Sequence, residues 1–208
     1  HLPDVTVVAP VHVEGRLIAF VVNRAHHADI GAGSPGSMPI SSSLQQEGLI
    51  IPPTLLYRAG ERVEAAHRQI VAATRRPTES AGDFAAQVAA NRAGAVRLRK
   101  IIERMGERSF VAGIDALNDY AERLARGVIR RIPDGVYTFD DTLDDDGQGN
   151  VDIPIRVALD VTAGRVIVDF EGTAAQVPGN VNCPLAVAAA AVYYVFRCLM
   201  PPQTPSCA

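Results

Sequence analysis

The chain has few cysteines, no excess of positive charge, no apolar run of membrane-spanning length and no initiator methionine, and each absence narrows what the protein can be. Three cysteines in 208 residues, at positions 183, 198 and 207, match no metal-binding spacing. Their odd number argues against a secreted disulfide framework, so a reducing, cytoplasmic setting is expected. If the segment from Cys183 to Cys198 is helical, its ends stand roughly 20 Å apart at ~1.5 Å per residue, too far for a disulfide. With 20 basic residues against 23 acidic ones the net charge is -3. That balance leaves no basic footprint for nucleic acid or an anionic membrane, and small molecules remain as ligands. The apolar stretch 185–200 falls short of the ~20 residues of a bilayer span, carries Arg197 and stops at Pro201-Pro202; it reads as a buried core helix. The opening His1-Leu2-Pro3-Asp4 and the closing PPQTPSCA look like cut ends, so a piece of a longer protein is expected.

Several catalytic and binding motifs are also missing. The glycines at 31, 33 and 36 lack the lysine and the following helix of a phosphate-binding loop, which speaks against nucleotide binding within this chain. No Gly-x-Ser-x-Gly elbow is present. The acidic run Asp140-Asp141 and Asp144-Asp145-Asp146-Gly147 fails the EF-hand pattern. With Gly147 at the sixth loop position, the twelfth is Ile153, where a carboxylate is required, and a solvated loop is the simpler reading.

What is there is a mixed pattern. Residues 5–9 and 17–23 are rich in β-branched side chains and are separated by Glu14-Gly15, which predicts neighbouring strands. A Gly-Ser-Pro loop covers 29–43, and 47–57 is extended because Pro52-Pro53 forbids a helix. A first helix is expected over 61–74. Capping candidates at 78–83 precede a second, in which Phe84, Val88, Asn91, Ala95, Leu98, Ile102 and Met105 recur at steps of four and three. Gly106 breaks that stripe, and Phe110, Ile114, Leu117, Ala121, Leu124 and Val128 resume it, so the two helices are expected to form an antiparallel hairpin. Strands are predicted at 136–139, 153–160 and 165–170, and a helix after Pro184 with Asn182 or Cys183 at its cap. The order is α+β: strands at both ends flank a long antiparallel helical hairpin, followed by a buried C-terminal helix. The corresponding regions are 1–58, 59–132 and 133–208 of one domain.

The chemistry concentrates in NRAHHADIGAGSPGSMP, residues 23–39. If the strand runs through His26 and His27, the two side chains point to opposite faces, so at most one serves a given site. His1 and Asp4, separated by Pro3, converge if that segment is a turn and not a strand, and residues 5–9 then carry them into a sheet beside the strand that delivers His26. Two imidazoles and one carboxylate would then make a metal site with open coordination positions. The alternative is a hydrogen-bonded histidine at a strand end with Asp29 capping the loop. His12 and His67 read as solvated.

Taken in order, HLPDVTVVAPV, RAHHADIG, PGSMP, EGLIIPP, AANRAGAVRL, DDDGQG and GNVNCPLAVAAAAVYYVFRCL resemble the hydantoinase B / 5-oxoprolinase family, which includes the large subunit of acetone carboxylase-type enzymes. The resemblance runs through nearly the whole chain. It implies a subunit of an ATP-dependent hydrolase that opens a cyclic amide such as 5-oxoproline or a hydantoin, in a hetero-oligomer with a hydantoinase A-type ATP-binding partner. Ketone carboxylation is the alternative within that family, and a non-catalytic interaction subunit docking through residues 84–128 is the alternative outside it. The resemblance further implies a divalent metal, manganese or else zinc or iron, held by His1, Asp4 and His26. His27 and Asp29 would orient these groups or transfer a proton, Glu47, Asn180 and Asn182 would line the site, and ATP would sit on the partner. A chain of this extent is expected to be inactive without its partner and flanks.

Overall fold

The computed structural model describes residues 2–36 and 39–206, and it divides into two compact units, 1–106 and 107–208. The fold is mixed α+β, as the sequence order predicts. The helical stretch expected over 59–132 is shared between the two units.

In the first unit, β1 (Asp4–Val13) and β2 (Arg16–His26) form an antiparallel hairpin. Its two-residue turn places Glu14 at φ 48° and Gly15 at φ 78°, the left-handed pair whose twist matches that of the flanking strands. One face of the hairpin, including Val5, Val7, Val11, Val21 and Asn23, turns inward, while Val8, Phe20 and Val22 on the other face are more than half exposed. A second tight hairpin joins β3 (Tyr57–Arg58) to β4 (Glu61–Arg62). Ala59 and Gly60, both at positive φ, make its turn. This corrects the expected helix start at Glu61: α1 spans Glu64–Ala72.

The long helix α2 (Pro77–Met105) begins with Arg76 as its N-cap residue and proline in its first turn, not with a side-chain cap from 78–83. It lies across β1 and β2. Phe84, Asn91, Ala95 and Ile102 from the predicted stripe are all buried, so the stripe's partner in its own unit is the strand hairpin. Where β2 passes under α2, the Cα of Gly94 leaves too little room for a Cβ, which would stand 2.9 Å from Val21 Cγ1. Ile70, Val71 and Phe84 form the core cluster, with Val5, Leu49, Ile51 and Leu56 packed on it. Burying each such side chain contributes about 1.5–3 kcal/mol. His67 belongs to this inner face and is only 9% exposed, which corrects its reading as solvated; His12 is exposed.

The second unit holds α3 (Glu107–Ile129), the antiparallel sheet β5 (Gly135–Asp145), β6 (Val151–Thr162) and β7 (Arg165–Asp169), and α4 (Leu185–Cys198). The expected pairing of α2 with α3 would join residues of the two units. Ala163-Gly164 makes the β6–β7 turn, both at positive φ. The N-cap of α4 is Pro184, not Asn182 or Cys183. None of its residues is buried: Leu185 is 85% exposed and Tyr193 72%. The expectation of a buried helix is therefore corrected; high apolar content states that a helix suits cover, not that these 208 residues supply it. Cys183 and Cys198 are free and exposed. Among the described residues no helix is long and apolar enough to cross a membrane.

Candidate functional site

The register of the first hairpin places Asp4 directly opposite His26 at its open end. Side chains of directly opposed residues in an antiparallel pair project from the same face. Here the Asp4 Oδ1 to His26 Nδ1 distance is 3.0 Å, with both side chains partly exposed. His1, the third expected ligand, lies outside the described residues. Among the described residues no group of three or more His, Cys, Asp or Glu side chains is arranged to hold a metal ion. The donor set that does converge, one carboxylate oxygen and one imidazole nitrogen, suits a divalent ion of the manganese, iron or zinc kind.

His27 takes the opposite face, as strand alternation requires. Its backbone N–H donates to Pro3 O at 2.9 Å, tying the two strand ends together. Its ring is 2% exposed, lies 4.5 Å from the ring of Phe84 and contacts Gln87 Oε1 through Nε2 at 2.9 Å. The tautomer follows from the surrounding amides. The Gln87 Nε2 group donates to Val5 O and Asn23 Oδ1, Asn23 Nδ2 donates to Gln87 O and Asn91 Oδ1, and Asn91 Nδ2 donates to Val7 O. Backbone carbonyls only accept, so each amide orientation is fixed and Gln87 Oε1 must accept from His27. The proton therefore sits on Nε2. Nδ1 is buried with no hydrogen-bond partner among the described residues.

Asp29 is an anchor for the loop that follows. Its Oδ1 accepts from Gly31 N at 2.8 Å and Arg75 Nη1 at 3.1 Å, and its Oδ2 from Arg75 N at 2.6 Å. Burial alone would raise its pKa, but the backbone N–H groups of Arg75 and Gly31, with the charge and side chain of Arg75, outweigh that and hold it below 3.8. Arg75 Nη2 also donates to Ala32 O and Gly33 O, so one arginine at the α1–α2 junction fixes the loop at several points. Gly31, at φ 82°, packs so closely on Ala73 that a Cβ would stand 2.6 Å from its carbonyl oxygen. The glycine-rich loop thus binds a carboxylate through backbone N–H, and that carboxylate is the chain's own.

Glu47 closes the adjoining turn, its Oε1 accepting from the buried Ser41 hydroxyl at 3.3 Å. Leu49 N then donates to Ile30 O at 2.8 Å, which brings segment 49–56 alongside the site. Between that segment and β1 lies a cleft of about 430 Å³ with Asp4 in its wall. In the second unit, Asn182 clamps its own turn, accepting from Val177 N and donating to Val177 O and Gly179 O; Asn180, in the same turn, is half-buried. Asp146, from the acidic run, is only 2% exposed and accepts from Gln148 N, Asn150 N, Asn150 Nδ2 and Gly179 N. Burial pushes its pKa up and these donors, the Asn150 side chain foremost, bring it below the ordinary 3.8. That aspartate is a fastening of the chain to itself, while its neighbours Asp144 and Asp145 are exposed.

Gln87 and Arg75 escaped the sequence reading. A polar residue facing inward on α2 was the available signal, already visible in Asn91 interrupting the apolar stripe.

A strand hairpin carrying a carboxylate–imidazole pair, backed by a long helix and a clamped glycine loop, is a mixed α+β scaffold that presents its polar pair at one open edge. The chain belongs to the hydantoinase B/oxoprolinase family, whose family model matches residues 1–208. It is 32% identical to the 5-oxoprolinase PfmaA of Pestalotiopsis fici over 99% of this chain and 17% of that one. It is 31% identical to the beta chain of the caprolactamase of Pseudomonas jessenii over 88% of this chain and 31% of that one. The crystal structure of the ATP-dependent caprolactamase from Pseudomonas jessenii superposes with a TM-score of 0.87 at 29% identity, covering 93% of this chain and 33% of that one. The chain therefore spans about a sixth to a third of the length of these relatives.

Proposed function

We propose that this chain carries the metal-binding part of an ATP-dependent hydrolase that opens a cyclic amide of the 5-oxoproline or hydantoin type. It would do so in the cytoplasm, in a hetero-oligomer with a hydantoinase A-type ATP-binding subunit. The observation that carries the reading is the cross-strand contact of Asp4 with His26, 3.0 Å apart at the open end of the hairpin and beside a ligand-sized cleft. Asp4 and His26, with His1, would hold manganese, zinc or iron. When bound, such an ion polarises an amide carbonyl or lowers the pKa of an attacking water.

The remaining residues act on position. His27 sits on the far face of β2, so its contribution is to fix the strand end that presents His26, through its N–H to Pro3 and its buried ring. Asp29 spends its acceptor capacity on Gly31 and Arg75, which suits a group that orients the loop. Glu47 holds the turn leading into the cleft wall. Asn180 and Asn182 are proposed to line the substrate path through the turn that Asn182 shapes. The share of its relatives' length that the chain covers, and the caprolactamase relative named as one chain of a larger enzyme, support the expectation that this chain alone does not turn over substrate.

The test is a His26→Ala substitution in the full subunit, purified with its ATP-binding partner. Elemental analysis should show metal content falling at least severalfold, and ATP-dependent ring opening should be lost; Asp4→Asn should act in the same direction. Unchanged metal content together with unchanged turnover in His26→Ala would overturn the proposal.

A further inference from the structure

The outer face of the first hairpin carries an arginine next to the Asp4 and His26 pair, and the register sets its place. Opposed residues of an antiparallel pair share a face, and alternate residues along a strand return to it. Successive rows on this face are therefore Asp4 with His26, Thr6 with Arg24, Val8 with Val22 and Pro10 with Phe20. Arg24 is the one lysine or arginine in these rows. It stands two residues from His26, about 6.6 Å along the strand. Its Nε donates to Thr6 Oγ1 at 3.0 Å, and its two Nη groups meet no hydrogen-bond partner among the described residues. Asp4, Thr6 and Val8 line the cleft of about 430 Å³, so the bond to Thr6 seats the exposed Arg24 at the cleft rim.

We infer that Arg24 is a specificity-determining residue of this cleft, receiving a carboxylate borne by the substrate ring; the inference rests on the cyclic-amide reading above. In that reading Asp4 and His26 are engaged in holding a metal ion. The Nη groups of Arg24, one row further on, are then the donors that an anionic substituent meets. A guanidinium oriented through its Nε presents planar, paired N–H groups that match carboxylate geometry. In 5-oxoproline the carboxylate and the lactam carbonyl are borne on the two ring carbons that flank the nitrogen. Both oxygen groups thus lie along one edge of the ring and address adjacent rows of the ribbon. The hydrocarbon edge then faces Leu49, Ile51 and Leu56 across the cleft.

Two rings isolate the carboxylate: 5-oxoproline, and 2-pyrrolidinone, which is the same ring without it. The assay is ATP-dependent ring opening by the full subunit with its partner, read as the ratio of kcat/KM for 5-oxoproline to that for 2-pyrrolidinone. Because Arg24 is exposed, replacing it leaves the packed face of the ribbon alone. Arg24→Gln should lower the ratio by about tenfold, the low end for a charge-assisted pair at an exposed position. Arg24→Lys, which keeps the charge without the planar fork, should give a ratio between the two. Calorimetric titration of 5-oxoproline into the complex without ATP should show Kd raised by a similar factor in Arg24→Gln, while metal content stays at the wild-type level. An unchanged ratio or an unchanged Kd in Arg24→Gln would overturn the inference, as would an Arg24→Lys ratio no higher than that of Arg24→Gln. Loss of metal from Arg24→Gln would overturn it too, since Arg24 would then act through the pair. A wild type that opens 2-pyrrolidinone but not 5-oxoproline would sink the inference and leave the cyclic-amide reading intact. Failure of the wild type to open either ring, with ATP and partner present, would overturn that reading and this inference with it.

Discussion

Replacing Gln87 by methionine keeps the volume of the side chain and removes its whole hydrogen-bonding capacity. Three groups then lose this partner: the buried His27 Nε2–H and the part-buried Val5 O and Asn23 Oδ1, bonded at 2.9, 3.0 and 2.9 Å. Gln87 is 5% exposed, so water does not readily replace it. Each stranded group costs ~1–3 kcal/mol, and at the lower end the three together cost about 3 kcal/mol. Apolar contacts of the methionine offset part of this, leaving a net of about 2–3 kcal/mol. Because the loss is confined to the junction of α2 with β1 and β2, amide hydrogen exchange is the suitable assay. Where reclosing outpaces exchange, rates in β1, β2 and the central part of α2 should rise roughly 30- to 150-fold, at 1.4 kcal/mol per tenfold. The sheet β5–β7, in the other unit, serves as the internal reference and should not change. A rise of less than about threefold in β1 and β2 would refute the network energetics. An equal rise in β5–β7 would refute the confinement of the effect.

Two further outcomes follow from other fastenings. The folded pKa of Asp29 lies below its ordinary value, so its ion pair and hydrogen bonds contribute stability that is fully present above about pH 4 and is lost as pH falls through the folded value. Asp29→Asn should therefore be less stable than wild type by roughly 1–2 kcal/mol at pH 7. That gap should close progressively below pH 3.8 in denaturant titrations; a gap that stays constant down to about pH 3 would count against the argument. Gly179→Ala adds a Cβ that collides with the backbone oxygen and Cβ of Asp146. It should separate the 177–182 turn from the acidic loop, with a destabilisation of about 2 kcal/mol or more. Exchange at Gln148, Asn150 and residue 179 should speed up together, and an unchanged pattern would show that the loop tolerates the added methyl.

Much of the fold was legible because local chemistry and tertiary structure agree. β-branched alternation with Glu14-Gly15 announces the first hairpin. The four-and-three stripe announces α2, and alternation along β2 by itself separates His26 from His27. The same logic fails where the partner is remote in sequence. Arg75 meets Asp29 across 46 residues and Gln87 meets His27 across 60, and no local pattern encodes either pairing. The short hairpin 57–62 was missed because its two strands are two residues each, below the length at which alternation carries information. The buried-helix reading of α4 failed differently: composition reports a preference for cover, and the described residues of its own unit bury none of its side chains fully.

Adjacent histidines in this segment invite a reading in which both meet one ligand, and the structure places them on opposite faces with different partners. His26 stays on the open face with Asp4, at a position where register, not flexibility, sets their separation. His27 is committed to the opposite face, where Gln87 fixes its proton and Phe84 covers its ring. A half-exposed polar pair on a two-stranded ribbon would otherwise be held by little, since an isolated hairpin is marginally stable in water. Here the ribbon's end is pinned by His27 and the loop after it by the Asp29–Arg75 clamp, both within three residues of His26, the proposed metal ligand. The buried polar network therefore supports the proposed site from behind, although the side chains of His27, Gln87, Asn23 and Asn91 do not line the cleft.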